Sequence, residues 1–216
     1  QGRHDFFVLL RDRFGADPAP IRAAFAAYDA DPSSGNLAAL FATVEPQRQT
    51  LLRRLNMAPG ATLKLVAMRA DLLKAIAQDP ALAPIDADFA HLLSSWFNRG
   101  FLYLERIDWS TPAAILEKII AYESVHRIEG WDDLRRRLDQ ADRRCYAFFH
   151  PATGNEPLIF VEVALTRSIP DAIAPILNAP RVASPEDADT AVFYSINNSL
   201  PGLKGVSFGN LLIKQV

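Results

Sequence analysis

The sequence has 216 residues, half of them hydrophobic, with 23 Lys and Arg against 25 Asp and Glu, a formal net charge of −2. That apolar content can build one large core or two small ones. The charge balance excludes the concentrated basic face of a nucleic-acid binder. No run of 18 apolar residues marks a membrane span, and Gln1-Gly2-Arg3-His4-Asp5 is followed by no signal-peptide pattern. Cys145 is the only cysteine, which rules out an internal disulfide and fits a reducing compartment. A cytoplasmic protein without nucleic-acid or membrane partners is expected.

Residues 1–100 read as helices. Phe6, Leu10 and Phe14 fall at i, i+4 and i+8, and Ile21, Phe25 and Tyr28 follow the turn Ala16-Asp17-Pro18. Leu37, Leu40 and Phe41 make a third stripe between Pro32-Ser33-Ser34-Gly35 and Pro46, and Leu51, Leu52 and Leu55 a fourth. Leu63, Val66, Ala70, Leu73 and Ala77 form the clearest stripe, and Phe89, Leu92, Leu93, Trp96 and Phe97 the last, ending near Gly100. Such spacings mark amphipathic helices, and the short Pro and Gly breaks imply an antiparallel bundle. This half presents no polar constellation, so packing or self-association is its expected role.

The period changes at residue 101. Phe101 to Leu104 reads as a strand, and Ser110-Thr111-Pro112 opens a helix whose apolar face is Ile115, Ile119 and Tyr122. Trp131 to Leu138 is a second helix. Cys145 to Phe149 and Leu158 to Leu165 read as two strands joined by a hairpin turn, the second apolar on both faces as a covered central strand would be. Ile169 to Leu177 reads as a helix, Thr190 to Ile196 as a strand, and Val206 onward as a helix start. The fold class expected is α+β: an all-α bundle over residues 1–100, then an α/β domain over 101–216.

The loop between the last strand and the last helix is the sharpest candidate site. Gly202, Gly205 and Gly209 permit close backbone approach, Lys204 adds a cation, and a helix N-terminus attracts anions. The spacing matches neither a phosphate-binding P-loop nor a dinucleotide fingerprint. Glu123 lies three residues before His126 and, on a helix, could hold its imidazole; the alternative is a structural histidine. The runs Arg135-Arg136-Arg137 and Arg143-Arg144, with acids beside them, read as a solvated helix face. Cys145 reads as a buried small hydrophobe. No histidine pair has metal-ligand spacing, and no Gly-x-Ser-x-Gly elbow supports a hydrolase triad.

Several longer motifs stand in order: Arg106-Ile107-Asp108-Trp109-Ser110-Thr111-Pro112, Glu123-Ser124-Val125-His126, Arg143 to His150, Pro157 to Leu165, Phe193-Tyr194-Ser195-Ile196, and Gly202 to Lys214. In these the chain resembles the malonyl-CoA decarboxylase family, and its first half is similar to that family's helical N-terminal domain. The resemblance implies a helical domain that mediates homo-oligomerisation and a catalytic domain of GNAT acyltransferase-like fold. It implies conversion of malonyl-CoA to acetyl-CoA and carbon dioxide without metal or organic cofactor. It carries Lys204, Gly205, Val206, Ser207, Phe208, Gly209 and Asn210 over as substrate-binding residues, and matches Lys118 to an auxiliary lysine on a helix. The family's catalytic serine and histidine belong to a Ser-Pro-x-Pro-Gly type motif and a later histidine. Neither occurs among these residues, so catalysis is expected beyond Val216 and neither Ser195 nor Ser207 takes the serine's place. The last helix carries no stop signal, in keeping with a domain that continues. An acyltransferase acting on an amine and a non-catalytic interaction module are the alternative readings.

Overall fold

Two compact units, Gln1–Trp96 and Phe97–Val216, make up the chain. The computed structural model describes residues 2–178, 184–206 and 211–216, without the side chains of 211 and 212.

The apolar stripes of the first unit become α1 (Gly2–Arg13), α2 (Pro18–Ala30), α3 (Ser34–Val44), α4 (Gln47–Leu55), α5 (Ala61–Ile76) and α6 (Ala83–Trp96). Local chemistry starts two of them. Asp17 accepts from the Ala19 amide at 3.0 Å with Pro18 in the first turn, and Ser33 caps α3 through the Asn36 amide. Phe7, Leu10, Leu52, Leu65, Leu72 and Phe89 lie at the core of this unit.

Three stripes face differently from their sequence pattern. In α5 the buried face is Thr62, Leu65, Arg69 and Leu72, not the one through Leu63, Ala70 and Leu73. Arg69 occupies a core position because its guanidinium bonds Asp86 at 2.7 Å, and a charge inside an apolar stripe hides that stripe from a hydrophobic count. Helices α2 and α3 bury no residue: Phe25, Leu37 and Phe41 are 57%, 50% and 79% exposed.

A buried ion pair joins α4 to α6. Arg48 bonds Asp88 through Nε, and Gln49 Nε2 donates to the other carboxylate oxygen at 2.7 Å; all three residues are buried. Removing one partner of such a pair leaves an uncompensated charge, a cost of about 3–5 kcal/mol. Asp88→Ala should therefore destabilise the helical unit by that amount, read as a lower denaturant midpoint in equilibrium unfolding, and a midpoint within error of wild type would refute the assignment.

The second unit contains β1 (Tyr103–Ile107), α7 (Ala113–Tyr122), α8 (Trp131–Leu138), β2 (Arg143–Phe149), β3 (Ile159–Thr166), α9 (Ala174–Asn178), β4 (Thr190–Asn198) and α10 (Leu211–Gln215). The strands form one antiparallel sheet in the order β1-β2-β3-β4. Ile115, Leu116 and Ile119 of α7 and Leu134 and Leu138 of α8 cluster with Cys145, Ala147 and Phe160 of the sheet. The fold class is α+β.

Several boundaries move. The strand expected from Phe101 begins at Tyr103, because Arg99–Phe101 is a 3₁₀ turn capped by Asn98. Thr111 does not cap α7: its Oγ accepts from the Asp108 amide at 3.0 Å and closes the turn before the helix. The helix expected over Ile169 to Leu177 is only Ala174–Asn178, with Pro175 tolerated in its first turn and Pro170 outside it. Val206 lies outside a helix, and the last described helix begins at Leu211.

Candidate functional site

Strand β4 pairs with β3 from Thr190 to Asn198, with one irregularity: Glu162 faces Ser195 and Val163 faces Phe193, so Tyr194 is an extra residue in a bulge. The ladder runs on past the strand end, where the Ser199 amide donates to Leu158 O at 2.9 Å. The chain then coils tightly. Pro201–Leu203 is a 3₁₀ turn, and the amides of Lys204 and Val206 donate to Pro201 O and Leu203 O. Gly205 has φ +77°, a left-handed conformation that costs other residues about 1–2 kcal/mol. Lys204 and Gly205 stand exposed at the tip between buried Leu203 and Val206.

Three of the seven residues expected to bind substrate, Lys204, Gly205 and Val206, thus form one tight corner after β4. The other four, Ser207, Phe208, Gly209 and Asn210, lie outside the described residues. Because the Lys204 and Val206 amides are used inside the turn, their N–H groups do not serve an anion here; what the described corner offers is the Lys204 charge and the glycine.

Behind the corner lies a network of buried polar side chains. Glu123 is not on a helix, since α7 ends at Tyr122, and it does not hold the His126 imidazole as an i, i+3 helical pair would. Instead its Oε1 accepts from the amides of Val125 and His126 at 2.8 and 2.7 Å. Its Oε2 accepts from Ser195 Oγ at 2.7 Å and Asn197 Nδ2 at 2.6 Å. His126 rests its ring near Tyr194, centroids 6.3 Å apart. Ser195 is 1% exposed and spends its hydroxyl on Glu123, so it has no access to substrate.

Next to it, Glu162 in mid-β3 is fully buried. Arg137 Nη1 bonds its Oε2 at 3.2 Å, and the same guanidinium bonds Asp133 and the carbonyls of His126 and Arg127. Burial, reinforced by the nearby Glu123 charge, pushes the Glu162 carboxyl up to about 7 against the pull of Arg137. Cys145, opposite Glu162 in the ladder, is buried and its thiol is pushed well up by burial, the environment of an inert side chain. The expected solvated basic face is corrected in part: Arg135 and Arg136 are exposed, but Arg137 is buried, and Arg143 lies on β2, buried against Asp142 and the Ile176 carbonyl. Buried guanidinium groups persist because each finds oxygen partners for its donors.

Lys118 bonds Glu156 at 2.6 Å and Asn155 O at 3.0 Å, and Tyr122 donates to the same Glu156 at 2.5 Å. The pair ties α7 to the turn between β2 and β3. His150 caps the 3₁₀ turn Pro151–Thr153, its Nδ1 accepting from the Ala152 amide at 3.0 Å with the Phe97 ring 4.9 Å away. Among the described residues no group of three or more His, Cys, Asp or Glu could hold a metal ion, and no helix is long and apolar enough to cross a membrane.

The sequence reading passed over Glu162, placed Arg137 on a solvated face, and put Asn197 in the candidate loop although it lies on β4. A signal was present for two of them. Glu162 is the one charge inside an otherwise apolar strand, and Asn197 follows Ser195 at the period of a strand face.

Residues 14–97 match the family model described as the malonyl-CoA decarboxylase N-terminal domain, and residues 100–216 match the malonyl-CoA decarboxylase C-terminal domain. The chain belongs to the malonyl-CoA decarboxylase family. Among solved structures, malonyl-CoA decarboxylase from Agrobacterium vitis is 57% identical with a TM-score of 0.94, covering 99% of this chain and 52% of that one. The Rhodopseudomonas palustris malonyl-CoA decarboxylase is also 57% identical, with a TM-score of 0.90 over 97% of this chain and 51% of that one. The mitochondrial malonyl-CoA decarboxylase of Anser anser anser is 40% identical over 178 residues, 79% of this chain and 35% of that protein. The chain thus spans about half the length of these solved family members and about a third of that mitochondrial one.

The raised Glu162 carboxyl has a measurable sign. Between its ordinary value near 4.5 and about 7 the folded protein holds a proton that the unfolded chain releases, so stability falls as pH rises through that window and levels above it. The total is on the order of 3 kcal/mol, at about 1.4 kcal/mol per unit. Glu162→Gln, neutral at every pH, should flatten this decline in a melting series from pH 5 to pH 8; a decline as steep as in wild type would contradict the assignment.

Proposed function

We propose that this protein decarboxylates malonyl-CoA to acetyl-CoA and carbon dioxide, with the second unit as part of a GNAT acyltransferase-like catalytic domain. The observation that carries this reading is the match of both units, in order, to the two domains of the family. The sheet-to-helix corner supports it, since β4 leads through Lys204 and Gly205 toward α10 where the family resemblance puts acyl-CoA binding.

The chemistry asks for three things. Loss of carbon dioxide from malonyl-CoA leaves an enolate whose oxygen takes the charge, so donors aimed at the thioester oxygen lower the barrier. An acid then protonates the methylene carbon, giving the methyl of acetyl-CoA. The departing carboxylate must not be over-stabilised by cations before it leaves. In this proposal Lys204 supplies charge to the phosphates of CoA and Gly205 lets the backbone approach the ligand. Ser207, Phe208, Gly209 and Asn210 complete the grip. Lys118 acts indirectly, through Glu156, by steadying α7. The reacting serine and histidine are those of the family motif, which these 216 residues do not contain. The 216-residue polypeptide alone should therefore show no carbon dioxide release from malonyl-CoA, while the full-length protein converts it to acetyl-CoA. Turnover by the 216-residue chain would overturn this division, and acetyl-CoA consumption that requires an amine acceptor would favour an acyltransferase instead.

The helical unit is proposed to pair with a second copy of this chain. The outward stripe of α2 and α3, with Phe25, Leu37 and Phe41 more than half exposed or at that limit, supports a contact that buries them. Phe41→Asp should dissociate the assembly in sedimentation velocity while leaving the circular dichroism spectrum intact. An unchanged sedimentation coefficient would rule this surface out.

A further inference from the structure

The four donors gathered by Glu123 come from two places that the backbone does not otherwise join. Two are the amides of the segment leaving α7, Val125 and His126; two are side chains of β4, Ser195 and Asn197. Asn197 is committed in return: its Oδ1 accepts from the Ser124 amide at 2.9 Å and the Ser124 hydroxyl at 2.8 Å. Glu123, Ser195 and Asn197 are all at least nine-tenths buried. A carboxylate that accepts four hydrogen bonds is held in one orientation.

The position of this clamp along β4 matters. It lies directly after the bulge at Tyr194, where pairing with β3 has already shifted by one residue. A further slip of one residue would turn Ser195 and Asn197 to the opposite face of the sheet, away from Glu123, and would carry the following loop about 3.3 Å along the strand. That loop holds Lys204 and Gly205.

We propose that Glu123 is the positioning residue of the acyl-CoA corner: by gripping Ser195 and Asn197 it sets the register of β4 beyond its bulge, and so the place of Lys204 and Gly205. The proposal rests on the reading of that corner as an acyl-CoA site. Glu123 touches no substrate and acts only through the strand.

The test uses the full-length protein, with acetyl-CoA binding by calorimetry and malonyl-CoA kinetics, well below the melting temperature of every variant. In E123Q one orientation of the amide turns its NH₂ group toward the Val125 and His126 amides, and the other turns it toward Asn197 Nδ2, which cannot reverse without abandoning Ser124, and toward Ser195, whose hydroxyl can rotate to accept. The expected result is a rise of about tenfold in Kd and KM, the loss that follows removal of a charge-assisted hydrogen bond, with kcat falling less than about threefold. E123Q combined with N197D sets an acceptor opposite the new donor and should restore Kd to within about threefold of wild type. A folded E123Q with wild-type Kd overturns the proposal, as does a loss that N197D does not restore. Should E123Q fail to fold, S195A removes one bond of the clamp and should raise Kd by about threefold, with an unchanged Kd overturning the proposal. Absence of acetyl-CoA binding by the wild-type protein would instead overturn the functional reading, and the positioning role with it.

Discussion

A carboxylate sealed from water at the centre of β3 sets the terms for the second unit. Glu162 lies fully buried in the sheet, and burying a charged side chain is expensive unless a partner comes to it. Arg137 is that partner, and it can reach Glu162 only if α8 lies across the sheet with that face inward. The same guanidinium also takes the carbonyls of His126 and Arg127, and so pins the segment between α7 and α8. That segment carries Glu123 and Ser124 to the end of β4. One buried charge is thereby linked through four elements to the loop that holds Lys204.

Such a network trades stability for definition. An apolar core of the same size would be at least as stable, but apolar contacts tolerate small slips, whereas a carboxylate with four donors does not. The network sits where a slip would do most harm, beside a bulge and ahead of the candidate binding corner. The raised Glu162 carboxyl is the cost of this arrangement, and it is offset by packing of α7 and α8 against Cys145, Ala147 and Phe160.

The helical unit solves a simpler problem with the same device. Its core is mostly Leu and Phe, but Arg48–Asp88 and Arg69–Asp86 cross between helices within or beside it. The first pair ties α4 to α6 and the second ties α5 to α6. The stripe left outside, on α2 and α3, has the residues of a core and the exposure of a surface.

Periodicity, caps and turn residues were sufficient to determine the helical character of the first half, the helix from Trp131 to Leu138, the hairpin of β2 and β3, and the α+β class, because each depends on neighbours in sequence. The ordered motifs from Arg106 to Lys214 were also legible, and they carried the family and the corner at Lys204 to Val206. Tertiary structure decided what depends on partners distant in the chain. It turned Glu123 from His126 toward Ser195 and Asn197, 72 and 74 residues away, and it buried Arg137 and Arg143 that a charge count places in solvent. It also took Thr111 away from the helix it precedes and rotated the buried face of α5 around Arg69. The reason is the same in each case: a polar side chain has no preferred side until its hydrogen-bond partner is in place, and that partner is chosen by the fold.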